Sequence, residues 1–548
     1  MPAISPLDAF LHWEKQIPDE ILFRQPVQGQ WKTWAWAQAG DEIRKIASGL
    51  KSLGLPDKSH IAILSKNCAQ WIICDLAIML CGYISVPIYP TLTAHSIKPI
   101  LEHSDSKAII LGKLDDYSSQ KDAIPAGMIR IGMTTYGLNE QYSIENFISQ
   151  QQPLQEICHW QPGEVLTIIY TSGTTGNSKG VMHTVDAIYT TVKTVVSFIG
   201  LPARPVLFSY LPLSHIAERQ AVENYVLYYG GTISFAESIE TFQANVAATQ
   251  PTLFFAVPRI WGKLREGILK KMSQKKLDLL LSVPILNSFV KKGIRKKIGL
   301  SKAVLIVSSS APISVDILKW FNKIGILINQ VYGMTEDCVY AHFETATDYC
   351  FGSVGKPVTG LKTKFGEDGE LRVKSPGNMK GYYKEPVLTA EAFDEEGYLK
   401  TGDIAEYNKD GFLFITGRVK DQFKTDKGKY ISPTPLEMKL LADPSLEMAC
   451  VVGTGIPQPI GLITLSEVGK AKNKNELTNE LESLRLTVNE TLDAFEKLEK
   501  LVVMKENWTI ENRLITPSLK VKRNEIEKIY LSKYPKWFVE SPKIIWLD

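Results

Sequence analysis

The sequence predicts an α/β protein with a large N-terminal domain over residues 1–417 and a smaller C-terminal unit over 418–548. Three observations carry this expectation. From about residue 45 to 335, short apolar runs alternate with helical patterns, as in parallel-rich α/β sheets with helical crossovers. The runs lie at 60–64, 107–111, 166–170, 207–210, 252–256 and 304–308. From about 351 to 417 Gly, Pro and Asp become dense and the strands short (370–373, 412–415), which reads as a β-rich subdomain. After Arg418 a small α+β unit follows.

Taken in order, the longest apolar stretch is 71–89. It carries Asp75 in its first third and Gly82 and Pro87 in its second half. A membrane span wants about 20 apolar residues with few or no charges. The stretch is therefore expected as a buried helix over 68–80 followed by a strand over 83–88. The C-terminal unit is expected to hold strands at 448–452 and 461–466 and a long charged helix at about 474–500. A strand at 501–505 and a final Lys-rich helix complete it.

The 548 residues are 44% apolar and 22% charged, which excludes disorder, collagen and coiled coil as the main architecture. The 62 basic and 59 acidic residues leave a net charge of +3, so no global field points to nucleic acid. The 7 cysteines are scattered, with no CxxC pair, and imply a reducing compartment rather than a disulfide framework. The N-terminus lacks the basic start and apolar run of a secretory signal, and a cytoplasmic location is expected. Charge is uneven: 263–297 holds 11 Lys/Arg and 2 acids, interleaved with Ile268, Leu269, Met272, Leu277 and Leu279–Leu281. Such a segment is either a solvated helical face or a peripheral contact with the inner face of a membrane.

The most informative motif follows the apolar run LTIIY. It reads Thr171-Ser172-Gly173-Thr174-Thr175-Gly176-Asn177-Ser178-Lys179-Gly180. Glycines allow backbone N–H groups to approach an anion, hydroxyls add donors, and lysine adds charge; together they form a phosphate cradle. It is not a GxxxxGK[ST] loop, because Gly180 follows Lys179 and no glycine stands immediately before the lysine.

This loop resembles the signature of adenylate-forming enzymes, the superfamily of acyl-CoA synthetases, luciferases and peptide-synthetase adenylation domains. The family's other motifs follow in its order: LPLSHIAER at 211–219, Tyr332-Gly333-Met334-Thr335-Glu336, Thr401-Gly402-Asp403, GRVKDQFK at 417–424, and TPSLKVK at 516–522. The resemblance spans nearly the whole chain. Within the superfamily it is nearest to long-chain fatty acyl-CoA synthetases, through LPLSHIAER, PTLFFAVPRIWGKL at 251–264 and Gly381-Tyr382-Tyr383. An acyl-CoA synthetase-like fold with a mobile C-terminal lid is implied.

What the resemblance implies for chemistry is activation of a fatty acid with ATP to acyl-AMP, with release of pyrophosphate, then thioester formation with CoA. Thr171, Ser172, Gly173, Thr174, Thr175, Gly176 and Lys179 would hold the β- and γ-phosphates. Thr335 would meet the α-phosphate, and Glu336, with Thr171, would bind Mg²⁺. Tyr332 would stack on adenine, Gly333, Ser310 and Ala311 would belong to the same nucleotide site, and Asp403 and Arg418 would hold the ribose. His215 would sit beside the acyl carboxylate, and Lys520 would carry adenylation, with Lys522 as the rival assignment. Lys420 sits at the hinge position, and Lys424 and Gly428 would approach the pantetheine tunnel. Two departures stand out. Ser309 replaces a glycine that lines the acyl pocket, and Ser178 replaces a proline of the phosphate loop. An acyl carrier protein as acceptor, an acyl-AMP end product, and a non-catalytic lipid- or nucleotide-binding protein remain alternatives.

Overall fold

The computed structural model describes residues 3–172, 178–516 and 519–547; the side chain of Ser172 is also outside the description. Its largest sheet has eight strands. His60–Leu64 lies at its centre, parallel to Ile84–Ile88 on one side and Ala108–Leu111 on the other. Ile84–Ile88 is in turn parallel to Val165–Ser172, which turns back antiparallel into Ser178–Thr184. The sheet is thus parallel-rich but mixed, and the antiparallel hairpin is the one that carries the glycine- and hydroxyl-rich turn.

The apolar stretch 71–89 forms the helix Ala69–Leu80, buried over all twelve residues, and the buried strand Ile84–Ile88. Asp75 tolerates this burial because the Arg219 guanidinium meets its carboxylate. No helix among the described residues is long and apolar enough to cross a membrane.

A second sheet runs Leu253–Ala256, Leu305–Ser308 and Asn329–Tyr332 in parallel, extended antiparallel by His342–Phe343 and Lys356–Pro357. A third combines Val206–Ser209, Thr232–Phe235 and the N-terminal hairpin Ile21–Val27/Gln30–Ala35. The Gly/Pro-dense region becomes an antiparallel sheet of Lys362–Phe365, Glu370–Lys374, Leu399–Tyr407 and Leu413–Arg418.

Beyond Arg418, the hairpin Phe423–Lys424/Tyr430–Ile431 leads into a four-stranded sheet, Leu446–Val452, Ile460–Leu465, Lys500–Val503 and Ile544–Trp546. Pro433–Leu440 and Lys474–Glu490 cover one face, Arg523–Tyr530 and Tyr534–Val539 the other. The charged helix expected to reach residue 500 ends at Glu490. The Asn489 amide accepts from the Leu498 N–H at 2.8 Å and donates to its carbonyl at 2.9 Å, so the chain folds back there instead of winding on. The closing strand Ile544–Trp546 was not expected. It pairs in parallel with Lys500–Val503 and completes the sheet.

Candidate active site

Five segments converge on one cleft. The first is the hairpin Val165–Ser172/Ser178–Thr184, whose register sets Thr171 opposite Lys179. A Cβ at Gly180 would come 2.8 Å from Ile168 Cγ2 and 3.1 Å from the Tyr170 ring, so only glycine fits after the lysine. Ser172 keeps only its backbone in the description, and Gly173, Thr174, Thr175 and Gly176 lie outside the described residues. Lys179 Nζ stands 4.9 Å from the centre of the Tyr382 ring, and the Tyr382 hydroxyl donates to Glu336 Oε1 at 2.9 Å. One aromatic ring therefore joins the cation of the hairpin to the acid of the second segment. The Glu336 carboxylate and the Thr171 hydroxyl are both hard-oxygen donors, the type that magnesium takes alongside phosphate.

The second segment is the turn after Asn329–Tyr332. Asp337 Oδ1 accepts from the N–H groups of Met334 and Val339, at 2.9 and 2.8 Å, and so ties the turn shut. Burial raises the Asp337 carboxyl to about 7. A Cβ on Gly333 would stand 2.9 Å from Val339 Cα. Cys338 and Val339 both have positive φ, 56° and 62°. For a β-branched residue this is a strained backbone, and strain of this kind collects at working sites. Thr335 is buried, and Glu336 is fixed by a backbone bond from Met379 N–H to its carbonyl at 2.7 Å.

The third segment pairs Asp403 with Arg418 across the strands Leu399–Tyr407 and Leu413–Arg418. Asp403 Oδ1 accepts from Arg418 Nε at 2.8 Å and Oδ2 accepts from the Tyr332 hydroxyl at 2.7 Å. The Asp403 charge pushes the Arg418 guanidinium further up, while burial raises the Tyr332 phenol well above its usual range and Asp403 adds to the effect.

The fourth comes from the C-terminal unit. Thr516 and Lys520 form a tight loop: the Thr516 N–H donates to the Lys520 carbonyl at 2.8 Å, and the Lys520 N–H donates to Thr516 Oγ1 at 3.0 Å. An isolated bridge between Ile515 and Val521 holds its base. Lys520 opens onto the cleft, yet protein surrounds it. Desolvation and the neighbouring Arg418 charge lower its ammonium, against the pull of Asp403 and Glu336. Lys522 takes a different place, at the start of the helix Arg523–Tyr530, with its N–H bonded to the Leu514 carbonyl. The C-terminal unit is anchored to the larger body by an Arg259–Glu447 ion pair.

The fifth is the turn after Val206–Ser209. His215 Nδ1 accepts from the Ala217 N–H at 3.1 Å, so the neutral ring carries its proton on Nε2. Burial, with help from the Lys520 charge, lowers His215 to about 4, and the ring is neutral at physiological pH. Directly behind it Glu218 accepts from Ser209 Oγ at 2.8 Å and the Tyr210 N–H at 3.0 Å, and burial raises it to about 8.

An apolar cavity of about 80 Å³ adjoins these segments, with Val192, Ala217, Phe255, Val307 and Val339 among its walls. Ser309 is also in the wall, but its hydroxyl donates to the Val331 carbonyl at 2.7 Å and so spends its polarity on the backbone. Ser310 follows with φ of 71°, and Ala311 is exposed at the end of Leu305–Ser308. Gln220, with Thr191 a further polar residue of the lining, donates from its amide to Cys338 Sγ at 2.6 Å. The cavity wall is thereby bonded to the Thr335–Glu336 turn.

Among the expected residues, the structure brings Thr171, Lys179, His215, Tyr332, Thr335, Glu336, Asp403, Arg418 and Lys520 together. Lys424 lies elsewhere: it is exposed on the small hairpin, with Nζ 5.5 Å from the Tyr430 ring. Tyr382, Asp337 and Gln220 were not singled out as site residues. Tyr382 stands in the Gly381-Tyr382-Tyr383 motif, whereas nothing in the sequence distinguishes Gln220 from a surface amide.

Fold and site together define an adenylate-forming enzyme. The AMP-binding enzyme family matches residues 10–383, and the AMP-binding enzyme C-terminal domain matches residues 420–534. The chain belongs to this family. Its relatives include the long-chain-fatty-acid–CoA ligase FadD15 of Mycobacterium bovis, 27% identical, covering 95% of this chain and 94% of that one. Long-chain-fatty-acid–CoA ligase 5 of Mus musculus is 27% identical over 93% of this chain and 84% of its own. Among solved structures, the adenylation domain of a carboxylate reductase from Mycobacterium chelonae shares the fold with a TM-score of 0.82 at 19% identity, covering 98% of this chain and 92% of that one. The anthranilate CoA ligase AuaEII, bound to anthranoyl-AMP, has a TM-score of 0.80 at 20% identity and covers 98% and 99%.

Proposed function

We propose that the protein joins a long-chain fatty acid to CoA at the cost of ATP. The observation that carries this is the position of Lys520. A lysine of the C-terminal unit faces Glu336, Asp403, Arg418 and His215, and the turns bearing His215 and Glu336 lend Ala217 and Val339 to the wall of an apolar cavity. The names of the long-chain relatives, covering more than nine-tenths of this chain, support the substrate class.

A carboxylate is a poor electrophile because its charge repels nucleophiles, and joining it to AMP removes that obstacle. In the first step a carboxylate oxygen attacks the α-phosphorus, the bond to the bridging oxygen breaks, and pyrophosphate leaves with the electron pair. The chain's work here is alignment and charge. Thr171 to Lys179 cradle the β- and γ-phosphates, and Thr335 meets the α-phosphate. Asp403, with its second oxygen oriented by Tyr332, receives ribose hydroxyls, and Arg418 steadies it. Lys520 places a compact, mobile positive charge on the phosphate oxygen that gains charge. Neutral His215 donates from Nε2 to the acyl carboxylate without forming a competing ion pair. Glu336, with Thr171, would hold Mg²⁺, which supplies charge neutralisation between phosphate oxygens.

In the second step the CoA sulfur attacks the acyl carbon, AMP leaves, and the thiol proton passes to solvent. The unit from 418 onward acts as a lid hinged near Lys420, whose rotation would withdraw Lys520 and bring the hairpin bearing Lys424 to the cleft. Purified protein given ATP and saturated acids from C8 to C18 should form thioester with CoA and release AMP and pyrophosphate. The yield should peak among the longer acids. Higher yield with an acyl carrier protein would move the acceptor, and accumulation of acyl-AMP alone would end the reaction at its first step. Absence of acid-dependent pyrophosphate release would remove the proposal.

A further inference from the structure

The basic segment folds as three helices, Pro258–Lys271, Gln274–Ser282 and Pro284–Lys297, inserted between the parallel strands Leu253–Ala256 and Leu305–Ser308. The second and third helices have a settled inner face. Leu277 and Leu281 are buried, and Val290 and Ile294 pack on the core around Trp261. Their outer face is unusual. Leu279, Ile285 and Phe289 are 67%, 74% and 71% exposed, and Val283 and Leu286 beside them are exposed too. Single exposed apolar residues are ordinary, whereas a contiguous set marks a surface that meets something.

The charge around this face says what it meets. Lys275, Lys276, Lys292, Lys296 and Lys297 are exposed and form no ion pair among the described residues. The one acid of the two helices, Asp278, is already paired with Lys323 at 2.7 Å. An apolar tip ringed by unpaired ammonium groups matches an anionic bilayer, whose acyl boundary takes the apolar side chains while headgroup phosphates take the charges. A second copy of the chain fits poorly, since its matching face would bring like charges together.

We propose that the helices Gln274–Ser282 and Pro284–Lys297 dock the protein on an anionic lipid surface, with Leu279, Ile285 and Phe289 inserted and the surrounding lysines on headgroup phosphates. The helices spring from strands whose Leu253, Phe255, Leu305 and Val307 wall the apolar cavity. The helices themselves pack on the opposite face of those strands, with Phe254, Ala256 and Ile306, and the docking does not depend on the fatty-acid reading.

The test is co-sedimentation of the full-length protein with vesicles of phosphatidylcholine, with and without phosphatidylglycerol. The protein should bind the anionic vesicles at low salt, bind neutral ones weakly, and detach as salt rises. Leu279→Ser, Ile285→Ser and Phe289→Ser together should lower binding about ten-fold or more, by removing the inserted surface. Lys292→Glu with Lys296→Glu should abolish the preference for anionic vesicles. Thermal melts and turnover of a water-soluble medium-chain acid should match the wild type for both variants. Equal binding to both vesicle types, or binding untouched by either variant, overturns the proposal. So does a concentration-dependent dimer that the triple serine variant dissolves while vesicle binding is absent. If vesicles bind as stated but no acid is activated, only the ligase reading falls.

Discussion

Arg219 and Arg418 both hold acids, and they have opposite surroundings. Arg219 lies 2% exposed beneath the eight-stranded sheet, held by Asp75, by Glu223 at 2.9 Å, and by Thr167 Oγ1 at 2.9 Å. Arg418 holds Asp403 at 2.8 Å but keeps 42% of its side chain open to the cleft that Lys520 faces. The same ion-pair chemistry serves different ends because water is excluded from one and admitted to the other. In the dry cluster the guanidinium meets two carboxylates and two hydroxyls, with no room for a ligand. In the cleft, the groups keep capacity to spare, which is what a ligand site requires.

Breaking the dry cluster should have the largest effect. Arg219→Leu leaves two buried carboxylates without a counter-charge and should cost about 3–5 kcal/mol of stability, read as a large fall in the urea midpoint. A fall within about 0.5 kcal/mol would mean the cluster is not structural. Asp403→Asn at the open cluster should leave the urea midpoint close to wild type and raise the KM for ATP roughly ten-fold or more, through weakened ribose binding. If it instead unfolds the protein, the contrast between the clusters is lost. Tyr382→Phe removes one hydrogen bond to Glu336, and its effect should be smaller. A loss of about 1 kcal/mol, or several-fold in kcat/KM, is expected, with Mg²⁺ dependence shifted to higher concentration.

Glu218 sharpens the comparison through pH. Its folded carboxyl is raised to about 8, so between its unfolded value near 4.5 and 8 the folded state binds more proton than the unfolded state. The stabilising effect of that proton is full at low pH and is lost as pH rises through 8. Glu218→Gln should therefore flatten the decline in stability between about pH 6.5 and 8, by up to ~1.4 kcal/mol per pH unit for one proton. Below 6.5 the lowered His215, at about 4, works the other way, since the unfolded ring takes a proton the folded ring refuses. Denaturation midpoints across that range for both proteins would check it.

Much of this was legible before the structure. Motif order pointed to the cleft because each motif needs its own residue types: glycine beside Lys179, an acid after Thr335, an acid opposite Arg418. The strands 60–64, 166–170 and 304–308 appear within a residue or two, since a strand buried on both faces reads as a continuous apolar run. Three features were hidden for physical reasons. Lys520 and Lys522 share one basic run, and only the folded chain shows that Lys520 has Arg418, Asp403 and Glu336 for neighbours while Lys522 starts a helix. The helix end at Glu490 depends on an asparagine bonding nine residues away, which no periodicity reveals. Gln220 acquires meaning only where the turn delivers Cys338 to it.

On the proposed reading, Lys520 acts on the phosphate that the acid attacks. Fatty-acid-dependent exchange of labelled pyrophosphate into ATP tests it in one assay, with Lys520→Ala and Lys522→Ala compared at equal stability. Lys520→Ala should slow exchange by roughly 10²–10³-fold while Lys522→Ala stays near wild type. Equal exchange in the two variants, or a loss confined to Lys522→Ala, would rule out this role for Lys520.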